Sequence, residues 1–444
     1  MLRRFHDRLL DQVDAFVDML QHEAGKARLS ATEEVLHCAL TAAYYARRAH
    51  RYLRSERGQG VLPALTRVDR HYVPKGLIGI IAPWNYPLTM AISDGLSALV
   101  AGNAVIAKPD EQTPNICLAA VKLLEESGMP PGLWQVVHGP GHVIGTQVIE
   151  VSDYVCFTGS TATGRVVAAR CADRLIGCSL ELGGKNPLLV LSDADVDRAA
   201  EGAVRACFSN GGQLCVSIER IYVHHTLMED FCRAFVARSQ ELRLGHAFDY
   251  DHDIGRLINR RHLRRVDDHV QDARAKGARI LTGGQPRPDL GELFYDPTVL
   301  TGVTPEMACY ADETFGPVVS VYSVSDDEEA ISRANDSEYG LNASVWTRDP
   351  AYGRRIARKI KCGTVNVNEG FAATFGSIDA PMGGMKHSGL GRRQGLEGIR
   401  RFVEVQSVAT QRWLPIAPIH GLSGAQFASA LVGAVRLLRK VGRV

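Results

Sequence analysis

The sequence predicts an α/β protein built on a doubly wound parallel sheet. Three observations carry this. Short apolar strands alternate with amphipathic helices from residue 76 onward. Glycine supplies 43 of 444 residues, above the usual share of about 7%, which points to many tight turns and close backbone approaches. The chain is 45% apolar and 23% charged, an ordinary soluble composition. That excludes disordered, collagen-like and disulfide-stapled classes.

The elements follow in order. Residues 1–55 repeat apolar side chains at three- and four-residue steps (Leu9, Val13, Phe16, Val17, Leu20) and read as helical. Val61 to Pro74 mixes β-branched and charged residues and reads as an extended ribbon. Gly76 to Ala82 is a buried strand stopped by Pro83. Strands at 104–107, 134–137 and 154–157 then alternate with helices at 115–127, near 142–150 and at 161–172. This beat is that of a parallel sheet. A second α/β stretch follows Gly183-Gly184, with a strand at 188–191, a helix at 195–209 and a strand at 221–223, and continues to about 370. After a strand near 401–408 comes a Pro/Gly-rich link. Ala425 to Val441 then reads as a helix with Arg436, Arg439 and Lys440 near its end, and Arg443 beyond. It suits a packing helix whose cations meet the dipole, or a membrane-surface helix.

Composition narrows the function classes. Fifty-one basic against 49 acidic residues leave a net charge of +2, without the basic excess of a nucleic-acid binder. Ten cysteines are scattered with no CxxC pair, so zinc-ribbon and thioredoxin-type readings fail; no metal site is expected. The start meets acidic residues at once, without the apolar segment of a signal peptide. Free thiols in a cytoplasmic compartment are expected. No run approaches 18 apolar residues, so no membrane partner is required.

Several motifs carry chemistry. Gly139-Pro140-Gly141-His142-Val143-Ile144-Gly145 leaves a strand and opens a helix; it fits a phosphate turn or a plain strand-to-helix turn. Phe157-Thr158-Gly159-Ser160-Thr161 does the same, and Ser160 reads as a cap at a helix N-terminus that attracts phosphate. In Gly211-Gly212-Gln213-Leu214-Cys215 a thiol follows two glycines. It is a carbonyl nucleophile if activated, and an inert structural thiol otherwise. Glu181, in Leu180-Glu181-Leu182-Gly183-Gly184, is a carboxylate in apolar surroundings suited to a raised pKa and to base work. Asn85, in Pro83-Trp84-Asn85-Tyr86-Pro87, offers an amide donor for an oxyanion, or is a turn residue between prolines.

Taken in register, these motifs resemble the aldehyde dehydrogenase superfamily. The others that match are Lys108-Pro109-Asp110-Glu111-Gln112-Thr113-Pro114, Glu313-Thr314-Phe315-Gly316-Pro317 and Pro381 to Gly389. The resemblance spans about residues 5–408 and implies a Rossmann-type cofactor domain, an α/β catalytic domain and an oligomerisation ribbon. The expected boundaries are 1–182 for NAD(P) binding, interrupted near 60–74 by the ribbon, 183–390 for catalysis, 391–410 for an oligomerisation strand, and 411–444 for a tail. A homodimer or homotetramer is expected.

The resemblance also implies roles. Cys215 attacks the aldehyde, Asn85 and the Cys215 backbone N–H hold the oxyanion, and Glu181 activates water to hydrolyse the thioester. Lys108 and Glu111 lie on the adenosine ribose, Gly159, Ser160 and Trp84 near the phosphates, and Glu313 and Phe315 at the nicotinamide ribose and ring. A carboxylate at 111 would repel a 2′-phosphate, which favours NAD, while Lys108 would still tolerate NADP.

The segment around Cys215 is similar to actinobacterial succinate-semialdehyde dehydrogenases, and also to benzaldehyde and vanillin dehydrogenases. A small aldehyde is therefore the expected substrate, succinate semialdehyde first and an aromatic aldehyde second. A CoA-acylating relative is a third reading, which a hydrolytic base at Glu181 opposes; a catalytically silent binding protein is a fourth, opposed by the complete set of Cys215, Glu181 and Asn85. Two departures stand out. Ser93-Asp94 replaces an Arg that many succinate-semialdehyde enzymes use to hold the distal carboxylate, and Arg393 stands where many members have Glu. Compared with the family, the chain also starts several tens of residues late.

Overall fold

A computed structural model describes residues 1–62, 65–419 and 421–440. Pro63 and Ala64 of the expected ribbon, and His420 and residues 441–444 of the tail, lie outside the described residues. The contacts divide the chain into two units, one of residues 1–52 and 74–402, the other of residues 53–73 and 403–444.

In the larger unit, Leu77–Ile81, Ala104–Lys108, Trp134–Val136, Tyr154–Thr158 and Gly177–Glu181 form a sheet whose central strand is Leu77–Ile81. All five run parallel, and the two-residue strand Gly389–Leu390 closes one edge antiparallel to Gly177–Glu181. The strands are short apolar runs because both faces are covered by helices such as Asn115–Glu126 and Thr161–Asp173. Their carboxyl ends coincide: Ile81 pairs with Lys108 and with Phe157, and Thr158 with Glu181. Ligand crevices open at such an edge.

The second sheet has seven strands, ordered Arg279–Thr282, Thr298–Thr301, Val318–Val324, Ile218–His224, Asn186–Val190, Asn342–Trp346 and Thr364–Val367. Only Arg279–Thr282 pairs antiparallel. Leu188, Val190, Ile221, Val319 and Val321 are buried on one face against Ala199, Ala203 and Phe208 of the helix Val196–Phe208. The amino-terminal helices are Leu2–Asp11, Val13–Ala24 and Arg28–Leu53.

In the smaller unit, Glu56–Gly58, Thr66–Pro74 and Val403–Gln411 form a three-stranded sheet. Its Val403–Gln411 strand leaves Val405 and Val408 exposed. The expected C-terminal helix forms over Gly424–Lys440, where none of its residues is buried and Phe427, Leu431, Ala434 and Leu438, on one face, are half-buried.

Candidate active site

The nucleophile loop is built from unusual backbone. Asn210, Gly211 and Gly212 are left-handed in succession, with φ of 53°, 63° and 69°. A side chain at Gly212 would bring its Cβ to 2.1 Å from the Gly316 carbonyl, so glycine alone lets this loop close against Glu313-Thr314-Phe315-Gly316. Asn210 is tolerated there because its side-chain amide reaches the Gln213 carbonyl at 3.2 Å. The loop ends at Cys215, whose carbonyl is held by the Asn186 side-chain amide at 2.8 Å.

Cys215, Glu181 and Asn85 line one cavity of about 410 Å³ together with Trp84, Gly159, Ser160, Glu313 and Phe315. Asn85 is buried, and its Nδ2 donates to the Gln213 carbonyl at 3.1 Å. The second hydrogen of that amide remains for a ligand. Glu181 ends its strand, is buried, and its Oε1 has no hydrogen-bond partner. Burial pushes its carboxyl up to about 7, with Arg393 pulling it back and Asp94 opposing Arg393. Burial pushes the Cys215 thiol up to about 12, and the neighbouring Glu181 and Glu313 add to the shift. The thiol is therefore the resting form, and a base must take its proton as attack begins.

Glu313 and Phe315 also line the cavity. The Glu313 carboxylate accepts the Gly184 N–H at 2.7 Å. Burial and Glu219 push it up to about 8. Phe315 has φ of 60°, and its ring meets Trp84 edge-on with centroids 5.6 Å apart. Ser160 caps the helix Thr161–Asp173 by accepting the Thr163 N–H at 3.3 Å.

Two expected cofactor residues stand outside this cavity. Lys108 is buried, with its Nζ donating to the Pro109 carbonyl at 3.1 Å. Glu111 is exposed and accepts the Gly141 N–H at 3.0 Å, at the first residue of the helix Gly141–Val151. It borders a separate hollow with Asn115, Leu118, His138 and Gly139.

Sequence reasoning missed one wall. Arg261, His262 and Arg265, on the helix Arg260–Ala275, also line the cavity. His262 packs edge-on against Trp84 at 5.4 Å, and the Arg265 guanidinium donates to the Glu313 carbonyl at 2.5 Å. The dense basic run after Asn259 was the available signal, but such runs usually read as solvated surface. Among the described residues no His/Cys/Asp/Glu group is arranged to hold a metal ion. No helix of the described residues is long and apolar enough to cross a membrane.

The profile of the aldehyde dehydrogenase family matches residues 1–408. The chain belongs to the aldehyde dehydrogenase family. This aldehyde dehydrogenase is 51% identical over 441 residues to a protein of Mycolicibacterium smegmatis named as a putative succinate-semialdehyde dehydrogenase [NADP(+)], covering 99% of this chain and 85% of that one. Among solved structures it is similar to a succinate-semialdehyde dehydrogenase from Burkholderia pseudomallei, with a TM-score of 0.88 and 35% identity over 92% of this chain and 84% of the other. A betaine aldehyde dehydrogenase mutant from Staphylococcus aureus, solved with NAD+, matches with a TM-score of 0.89 and 32% identity over 95% of this chain and 86% of the other. The aldehyde dehydrogenase fold is thus the fold of this chain, as its motifs led one to expect.

Proposed function

We propose that this aldehyde dehydrogenase oxidises succinate semialdehyde to succinate through a thioester on Cys215. The observation that carries the reaction is the single cavity shared by Cys215, Glu181, Asn85, Glu313 and Phe315. The cofactor is NAD(P), and the donor set fits it. Ser160 leaves the first N–H groups of its helix open to phosphate, while Glu313 presents a carboxylate to a ribose and Phe315 and Trp84 present rings. When bound, the nicotinamide supplies a hydride acceptor.

The protein's part is as follows. The Cys215 thiol gives up its proton to water in the cavity as its sulfur adds to the aldehyde carbon, and the carbonyl electron pair moves to oxygen, where the Asn85 amide and the Cys215 N–H stabilise it. Loss of hydride from that carbon re-forms the carbonyl as a thioester. Glu181, at about 7, suits proton transfer near neutral pH. It takes a proton from water as the oxygen adds to the thioester. Collapse expels the Cys215 thiolate and leaves the carboxylate product.

The substrate named for the mycobacterial and Burkholderia relatives supports succinate semialdehyde. One observation favours an aromatic aldehyde instead. The cavity presents Tyr86, Met90 and Leu214 beside Cys215 among its lining residues, whereas of its cations Arg265 is engaged with the Glu313 carbonyl. A cytoplasmic location and pairing of subunits through the Val403–Gln411 edge complete the proposal. The test of the covalent step is Cys215→Ala. It should abolish aldehyde oxidation while NAD binding, followed by calorimetry, survives; substantial turnover would remove Cys215 from the mechanism.

A further inference from the structure

We propose that Arg393 is a positioning residue for Glu181, acting by its charge from behind the cavity wall, where Asp94 fixes its guanidinium beside Arg401. The proposal rests on the reading of Glu181 as the water-activating group.

The geometry begins with the sheet edge. Glu181 pairs in register with Gly389 of the short antiparallel strand. Gly389 has φ of 150°, and a Cβ there would fall 2.1 Å from the Leu180 carbonyl, so this segment crosses directly against the Glu181 backbone. Arg393 follows in the same segment. Its backbone is clamped to Met382 by two hydrogen bonds, of 2.7 and 2.9 Å.

The side chain is 2% exposed. Its Nη1 donates to the sulfur of Met90 at 2.7 Å, and Met90 lines the same cavity as Glu181. Its Nη2 lies 3.2 Å from Asp94 Oδ1, and Arg401 Nη2 lies 2.7 Å from the same oxygen. Asp94 opens the helix Asp94–Val100, directly after a π-helical turn at Thr89–Ser93.

The charges do not balance within this group. Two guanidinium groups share one carboxylate, and all three side chains are buried. A buried surplus cation is costly unless an anion accompanies it. Glu181 is a buried carboxylate with an unpartnered oxygen, and the Arg393 Nε is a buried donor without a hydrogen-bond partner. Arg393 also exerts the strongest attraction on Glu181 of any charged group.

The remaining charged and titratable neighbours are few. Asp94, Arg401, Arg392 and the Cys215 thiol face Glu181. Burial alone would raise the Asp94 carboxyl, but Arg393 and Arg401 outweigh it and hold it below its ordinary value. His37, which faces Arg393 and Asp94, is pushed down to about 3 by burial and by Arg393 and stays neutral. Burial raises Tyr45, Tyr154 and Cys156, which face Asp94 or Arg401, so they stay neutral as well.

The test reads deacylation, in which Cys215 carries the acyl group and its thiol does not titrate. The full enzyme is mixed rapidly with NAD and aldehyde across pH. NADH is followed optically, and the acyl-enzyme is followed by intact mass after quenching. Arg393→Gln should keep the NADH burst but move the acid limb of deacylation up by about 1 pH unit or more, because an attracting cation is gone. Arg393→Lys should return most of that shift. Asp94→Asn should move the limb the opposite way, because it removes a competing anion. A purely structural role would slow all three variants without opposed shifts, and that result overturns the proposal, as does an unmoved limb. If Arg393→Gln does not fold, Asp94→Asn still decides it: a limb moved down supports the proposal, and a limb unmoved or moved up overturns it. Glu181→Gln separates the underlying reading: a wild-type acid limb in that variant would remove Glu181 as the base whatever the Arg393 variants show.

Discussion

The Glu219 carboxylate accepts the backbone N–H of Phe315 at 2.9 Å. It also accepts the Thr314 N–H and pairs with Lys185. One buried carboxylate from the second sheet therefore holds the loop that carries Glu313 and Phe315 and neutralises a lysine next to Gly184.

Glu219→Gln follows as a test of that relationship. The amide keeps the volume and one acceptor but leaves Lys185 buried without a counter-charge. Removing one partner of a buried pair costs about 3–5 kcal/mol. A lower thermal midpoint is expected, with a raised KM for the cofactor because the Glu313 loop loosens. An unchanged midpoint would mean that Lys185 finds another partner.

Glu181→Gln should separate the two half-reactions. An amide cannot take a proton from water, so thioester hydrolysis slows more than its formation. Rapid mixing should show a burst of NADH near one per active site, then a slow steady state. A variant with no burst and an equally slow first turnover would assign Glu181 to thiol activation instead.

How much of this was legible in the sequence depends on distance along the chain. Strands such as Ala104–Lys108 and Tyr154–Thr158 were visible because each is a short apolar run ended by a polar turn or glycine, whereas Gly177–Glu181, with Cys, Ser and Glu in five residues, does not read as a strand. The loop before Cys215 announced itself through Gly211 and Gly212. Motif order then drew in Glu181, Asn85 and Glu313, which local pattern alone could not join. The Asp94, Arg393 and Arg401 group was visible only as two departures from the family. Periodicity registers neighbours in sequence, whereas this ion group is made by the fold. Gly389–Leu390 is only two residues long, too short to show a strand period, yet it sets where Arg393 lies. The basic helix Arg260–Ala275 hid its cavity face because its charges look alike from every side.

Glu111 gives the cofactor prediction. Its carboxylate sits on the Gly141 N–H at 3.0 Å, so a negative charge already occupies that helix start. Glu111→Ser removes a charge that opposes a 2′-phosphate, a contact on the order of 1–4 kcal/mol near a surface. The ratio of NADP to NAD use, taken as kcat/KM, should rise about tenfold or more, since ~1.4 kcal/mol is tenfold. A wild type that already prefers NADP, together with an unchanged ratio in the variant, would show that Glu111 does not discriminate.

The substrate question has a direct physical contrast. A semialdehyde carries a carboxylate that needs a cationic or multi-donor clamp, and Arg-carboxylate pairing is the strongest available. Ser93-Asp94 stands where the family resemblance led one to expect such an Arg, and Asp94 is itself held by Arg393 and Arg401, which takes both guanidiniums out of easy reach. Arg261 and Arg265 remain on the cavity wall. If a clamp serves the substrate, removing the substrate's charge should be costly. Butanal should then fall below succinate semialdehyde in kcat/KM by roughly 2 kcal/mol, as for a lost charged hydrogen bond. If Tyr86, Met90 and Leu214 set the selectivity, benzaldehyde should exceed both. Equal kcat/KM for butanal and succinate semialdehyde would refute the semialdehyde assignment and leave a broad aldehyde oxidation standing.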